Sequence, residues 1–306
     1  MKNESIKIKE SHEFDLQRRV VSHMTSSSWK SIPHVSYIYE PDITDFYNEF
    51  SKLARERNYK GYKISFNTIM IKVIIEGLLS APDLNSCIKY NYKKSSGTIH
   101  ILSQINVTIP YLLPDGKMIT PSILSAQKMS LNDISRYMSD LSKRIENTNI
   151  DEMLYRTVFA DTMNELRKFN LSVIERITPS TIIRYKLKNK EKKDYYKIPE
   201  NERLTEKDIM HGTVTISNIG SLYKEQKGSF ALLEIIPPQV FAVGIGSIQE
   251  KPGVYFQKNG NKEIGIRKTL PMCLVFDHRA VDFSSIIPFL KKLDEIFAKP
   301  YVIHRW

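Results

Sequence analysis

Cysteine is nearly missing from this chain of 306 residues, with Cys87 and Cys273 as the only two. Two thiols exclude a disulfide scaffold and a cysteine-ligated zinc site, and they fit a reducing cytoplasm. Long apolar runs are missing too. The longest, around residues 69–79, is broken by Lys72 and Glu76, which leaves it too short and too charged to cross a bilayer. The N-terminus, MKNESIKIKES, lacks the apolar core of a secretion signal. Neither G-x-G-x-x-G nor G-x-x-x-x-G-K-[ST] occurs, so nucleotide-binding folds that depend on those loops lose support. His12, His23, His100, His211 and His304 show no metal-ligand spacing among themselves or with the cysteines. Zinc-finger and RNP patterns are absent, which leaves charge alone to argue for nucleic acid. The expectation is therefore no metal, no nucleic acid and no membrane.

What is present is an ordinary globular composition, 41% hydrophobic and 26% charged. Lys and Arg exceed Asp and Glu by 11, an excess that suits an anionic partner without choosing one. Apolar periodicity predicts helices at 12–28, 66–79, 151–177 and 284–297. Asp42 reads as a helix N-cap, and Ser130 with Asp133 as an acidic capping box. Strands are predicted at 35–39, 98–102, 105–113, 118–124, 212–217, 240–245 and 270–276. Pro114-Asp115-Gly116 separates two of them, since proline presets the turn and glycine tolerates positive φ. The run KLKNKEKK, 186–193, reads as a solvated stretch. Helices first, then consecutive strands, then a closing strand and helix indicate a layered α/β or α+β fold rather than a doubly wound one.

Two runs carry chemistry. In 274–283, LVFDHRAVDF, a strand ends in Asp277-His278-Arg279 and Asp282 follows His278 by four residues. An imidazole fixed there can take a proton from a thiol or hydroxyl. The alternative is a structural histidine beside a surface ion-pair cluster of Asp277, Arg279 and Asp282. In 212–220, GTVTISNIG, a strand ends in a small polar pair. The Ser217 hydroxyl or the Asn218 amide can donate to an oxyanion; equally, the run is a strand entering a turn.

Taken together and in this order, the two runs resemble the catalytic domain of the acyltransferase component of 2-oxo-acid dehydrogenase complexes, a family related to chloramphenicol acetyltransferase. Its hallmarks are a TISN-G strand and a DHR-x-x-D-G motif. Smaller matches include Ile32-Pro33-His34-Val35, Thr120-Pro121-Ser122-Ile123 and Pro237-Pro238-Gln239 with Gly244-Ile245-Gly246. The resemblance covers about residues 12–147 and 208–298. It implies a two-layer α/β sandwich with a mixed sheet, chloramphenicol acetyltransferase-like. Residues 1–306 then form a single catalytic domain with a largely helical insertion at 148–207.

The resemblance also implies roles. His278 becomes the general base toward coenzyme A or dihydrolipoamide, Ser217 the oxyanion donor, and Asp282 a structural partner of Arg18 or Arg19. Asn218 and Arg279 support them. The family forms trimers in which histidine and serine meet between subunits, so a homotrimer is implied. The expected function is acyl transfer between coenzyme A and a thiol or other acceptor. Coenzyme A or acyl-CoA is a substrate, no cofactor is covalently bound, and a lipoyl group rides on a separate carrier protein. Lipoyl and subunit-binding domains are not recognised in the chain, and the expected location is cytoplasmic. Phe283 departs from the family by standing in place of glycine. That departure keeps a second reading open, a non-catalytic trimeric scaffold or regulatory relative.

Overall fold

The computed structural model of the chain describes residues 7–59, 63–167, 189–257 and 259–306. Its helices are α1 (Leu16–Ser31), α2 (Thr44–Tyr59), α3 (Phe66–Ser80), α4 (Leu131–Glu146), α5 (Ile150–Arg167), α6 (Asn189–Tyr195) and α7 (Phe283–Ala298). Its strands are β1 (His34–Tyr39), β2 (Ser86–Asn91), β3 (Ser96–Ile101), β4 (Val107–Thr108), β5 (Tyr111–Leu112) and β6 (Met118–Ile119). They continue with β7 (Ser122–Ile123), β8 (Val214–Asn218), β9 (Phe241–Ile245), β10 (Gln249–Phe256), β11 (Lys262–Thr269) and β12 (Met272–Asp277).

The main sheet runs β1-β12-β9-β8-β4-β7 and is mixed: β9, β8 and β4 are parallel, and the remaining pairs are antiparallel. Period-two alternation sorts its side chains. Met272, Leu274 and Phe276 join Phe241 and Val243 against α3 and α7, whose Ile74, Leu78, Phe289 and Leu293 are fully or almost fully buried. Cys273, Val275 and Ala242 face the other way, onto Ile32, Ile235, Phe230 and Leu233. Among the described residues no helix layer covers that second face. A strap, residues 221–240, crosses it, and Leu233 and Phe230 lie where a Cβ on Gly244 would meet them at 2.7 and 2.8 Å. The architecture is thus a two-layer α/β sandwich whose open side is closed by loop. Burial pushes the Cys273 thiol up to about 11, which leaves it inert at neutral pH.

Helix α3 is apolar nearly all round, as a helix buried on both sides must be, and Ser65 caps it by accepting the Thr68 amide. The capping box at α4 is complete in both directions. At α2 the cap sits differently from the expectation: Asp42 accepts from the Thr44 amide at 2.9 Å, two residues along.

Several expectations change. The strand predicted over 105–113 is two short strands, because Pro110 has no N–H to continue the ladder and the chain turns into the separate β5-β6 ribbon. Strand β2 was not read from the sequence, nor was the hairpin β10-β11. The predicted helix 151–177 is α5 as far as 167, and 168–177 lie outside the described residues, as do 186–188 of the charged run. From 189 that run is α6 rather than a purely solvated stretch. Lys192 turns toward Glu152, which is fully buried, takes the Tyr196 hydroxyl at 2.7 Å and draws Arg156 to 3.6 Å. A buried carboxylate demands such counter-charges. Met153, Leu154 and Leu204 from this region pack with Leu16, Leu113, Leu141 and Ile145 in a second core.

The hairpin β10-β11 is turned inside out. Its polar side folds back onto the body, where Arg267 bonds Asp42 at 2.6 Å and covers the Tyr255 ring. Its apolar side, Val254, Phe256, Ile264 and Ile266, faces outward, and Ile264 is 78% exposed. Among the described residues no helix is long and apolar enough to cross a membrane, and no cluster of three or more side chains could hold a metal ion.

Candidate active site

Strand β12 is buried throughout and ends at Asp277, so His278 leaves the core at the sheet's edge with its side chain half exposed. Its backbone amide donates to the Pro33 carbonyl at 3.1 Å, tying it to β1. The chain then makes a tight turn in which the amides of Ala280 and Val281 both donate to the Asp277 carbonyl. This turn brings the Val281 carbonyl to 3.1 Å from His278 Nδ1. A carbonyl only accepts, so Nδ1 must carry the proton. The lone pair is then left on Nε2. Asp282 Oδ1 lies 3.5 Å from the same Nδ1. The ring edge also meets Phe276.

The rest of the triplet is structural. Asp277 is fully buried and accepts from the Arg279 guanidinium at 2.6 and 3.0 Å and from the Arg279 amide at 3.0 Å. Arg279 in turn lies against the rings of Tyr90 and Tyr92 and donates to the Tyr92 hydroxyl at 2.7 Å. The Asp277 pairing holds the Arg279 guanidinium above its ordinary pKa. The turn that presents His278 is therefore clamped from behind. The ion pair considered in the sequence does form between Asp277 and Arg279; Asp282 stands apart from it.

Ser217 lies on β8 opposite Gly244 of β9, which in turn pairs with Cys273 of β12. It is half-buried on the strap side of the sheet. Four residues, 274–277, lie between Cys273 and His278, so within one chain the serine and the histidine are offset by about 17 Å along the strand direction, with β9 between their strands. Asn218 is engaged: its amide donates to Asn67 at 3.0 Å, and its oxygen accepts the Ser221 amide. Arg18 and Arg19 are at the start of α1, where the Arg18 amide caps on Asp15 and Arg19 bonds the Phe14 carbonyl. Within one chain the described contacts of Asp282 are with His278 and not with either arginine. Phe283 is the first residue of α7, a helical position, and packs edge-on against Tyr37 at 5.3 Å. The positive-φ residues among those described do not include it, so the backbone makes no demand for glycine there.

A model of the family described as 2-oxoacid dehydrogenases acyltransferase (catalytic domain) matches residues 7–157 and 172–304. The chain belongs to that family. The matched stretches reach into the expected insertion 148–207 from both sides and leave 158–171 between them. The dihydrolipoyllysine-residue acetyltransferase component of the pyruvate dehydrogenase complex of Corynebacterium glutamicum is 25% identical over 236 residues, covering 77% of this chain and 25% of that protein. The chain spans between about a quarter and a half of the length of the curated relatives it matches. Among solved structures, the cubic core of the pyruvate dehydrogenase multienzyme complex aligns with a TM-score of 0.66 at 17% identity, over 96% of this chain and 93% of that one. The dihydrolipoamide acetyltransferase of Azotobacter vinelandii aligns with a TM-score of 0.64 at 16% identity, again over 96% and 93%. Its catalytic mechanism has been studied through a serine, a histidine and an asparagine, the last placed four residues after the histidine. At these identities the likeness establishes the fold.

Proposed function

We propose that this chain is one catalytic domain that transfers acyl groups between coenzyme A and a thiol such as dihydrolipoamide on a separate carrier. In this reading residues 148–207 are an insertion within that domain. The single observation carrying the proposal is the fixed tautomer of His278: Nδ1 is committed to the Val281 carbonyl and Nε2 is left with its lone pair on a half-exposed ring. A general base for a thiol needs that arrangement. His278 Nε2 takes the S–H proton of coenzyme A, and the sulfur attacks the thioester carbonyl of the acyl donor. The Ser217 hydroxyl donates to the oxyanion that develops. Collapse breaks the old carbon–sulfur bond, and the departing thiolate takes the proton back from His278. Asp282, four residues after the histidine, holds the place that an asparagine holds in the Azotobacter protein. It stabilises the imidazolium while the proton is stored.

In this reading Ser217 and His278, separated within one chain, are brought together from different copies. A trimer supplies such a seam, and the cubic assembly of the aligned core contains three-fold axes. The uncovered apolar side of β10-β11, which leaves the sheet next to the Ser217 end, suits burial in such an assembly. The protein is expected in the cytoplasm.

The test is acyl exchange between a panel of acyl-CoA donors and dihydrolipoamide, using wild type, His278→Ala and Ser217→Ala. Loss of the base should cost about 10²–10⁴ in rate. Loss of the oxyanion donor should cost about 10²–10³. Folded wild type as inactive as His278→Ala across the panel would overturn the proposal.

A further inference from the structure

His34 has no part in the transfer just described, yet it occupies a critical joint. It is the first residue of β1 and pairs in register with Asp277, one residue before His278. Its Nε2 accepts the Ile235 amide at 3.1 Å, and the Ser28 hydroxyl lies 3.3 Å from the same nitrogen. That hydroxyl donates to the Ile235 carbonyl at 2.6 Å. Ser28 and Ile235 are both completely buried. His34 and Ser28 therefore grip both backbone groups of one strap residue. Nδ1 is buried, and the Trp29 ring packs against the imidazole at 5.3 Å.

The strap gripped here begins one turn, Ile219–Ser221, after Ser217 and Asn218. Along the way it packs Phe230 and Leu233 over Gly244, the register partner of Ser217. Its near end is fastened by Gln226 to Ser247 at 3.1 Å and by Ser247 to the Tyr223 carbonyl at 2.8 Å. Its far end is fastened by His34 and Ser28. Of these fastenings, His34 is the one that titrates.

We infer that His34 is a positioning residue: as a neutral imidazole it pins the strap across the open face of the sheet and so sets the surroundings of Ser217, and on protonation it lets the strap go. The logic is donor against acceptor. Nε2 can receive the Ile235 N–H only while it carries a lone pair. A second proton would point one donor at another. Burial already lowers the His34 pKa below the ordinary imidazole value; the Ile32 carbonyl and the charges of Asp277 and Glu234 oppose that shift, and Arg279 adds to it. A histidine whose folded pKa is depressed contributes stability in full above its unfolded value near 6.5, and that contribution is lost as the pH falls through the folded value.

Amide hydrogen exchange on the full chain tests this, comparing wild type, His34→Gln and His34→Ala at pH 7.5 and 5.5. Glutamine keeps an acceptor oxygen and does not titrate. The protection factor at Ile235, corrected for intrinsic exchange, should fall about tenfold in wild type between the two pH values. It should stay high in His34→Gln and be low at both pH values in His34→Ala. A flat wild type, or a His34→Gln variant that falls as wild type does, overturns the inference. A second arm rests on the acyl-transfer reading: the acid limb of kcat/KM should be shallower in His34→Gln than in wild type, and an unchanged limb counts against His34. If every variant lacks activity, the acyl-transfer reading falls alone and the exchange result still decides.

Discussion

Arg279 is the residue whose removal should reveal what presents the proposed base. Asp277 has no exposed surface and accepts three side-chain contacts from Arg279 within 3.2 Å. In Arg279→Met the carboxylate keeps the amide of residue 279 and loses its counter-charge. Breaking one side of a buried pair costs about 3–5 kcal/mol, because the remaining charge is left uncompensated. Arg279 keeps 17% of its side chain in water, so the lower end, about 3 kcal/mol, is expected. That should appear as a fall in melting temperature of roughly 5 °C. The informative comparison is the double variant Asp277→Asn with Arg279→Met. It removes the charge together with its partner and should return to within about 1–2 kcal/mol of wild type. Urea denaturation followed by tryptophan fluorescence measures wild type and both variants. Arg279→Met within about 0.5 kcal/mol of wild type, or a double variant worse than the single one, would refute the claim that this pair clamps the turn.

Other outcomes follow from packing and charge. Phe289→Ala removes a fully buried ring that meets Phe241 edge-on at 5.4 Å and should cost about 3–5 kcal/mol by denaturant melt. Gly212→Ala places a Cβ 1.8 Å from Thr108 Oγ1 inside the sheet; it should destabilise strongly, and adding Thr108→Ala should recover part of the loss. At Asp42, burial raises the carboxyl, while bonds from Thr44 and Arg267 outweigh it and hold it below the usual value. Stability from that group is present above the ordinary carboxylate pKa and fades as the pH falls below it. Arg267→Met should therefore lower the melting temperature more at pH 7 than at pH 3, and an equal loss at both would contradict this account.

The parts of the fold legible in the sequence were those with local causes. The apolar saturation of α3, the reciprocal Ser130–Asp133 cap and the turn at Gly116, with φ of +81°, each follow from a few adjacent residues. The hairpin β10-β11 also has a local signal, the dipeptide Asn259-Gly260 between alternating Val254, Phe256, Ile264 and Ile266. At the site, the two motifs named His278 and Ser217, but their separation depends on strand order, which no single segment states. The tautomer of His278 was equally hidden, since it depends on a turn that aims one carbonyl. His34 looked like any histidine at the head of a strand; its role depends on Ile235, 201 residues away.

Strand order has a consequence for how defects combine. Ser217 and His278 sit at opposite ends of one sheet, so a copy lacking its imidazole still offers a sound hydroxyl, and a copy lacking its hydroxyl still offers a sound imidazole. On the proposed mechanism, His278→Ala and Ser217→Ala, unfolded together and refolded as a mixture, should mend each other wherever the intact halves become neighbours, while each refolded alone should stay inactive.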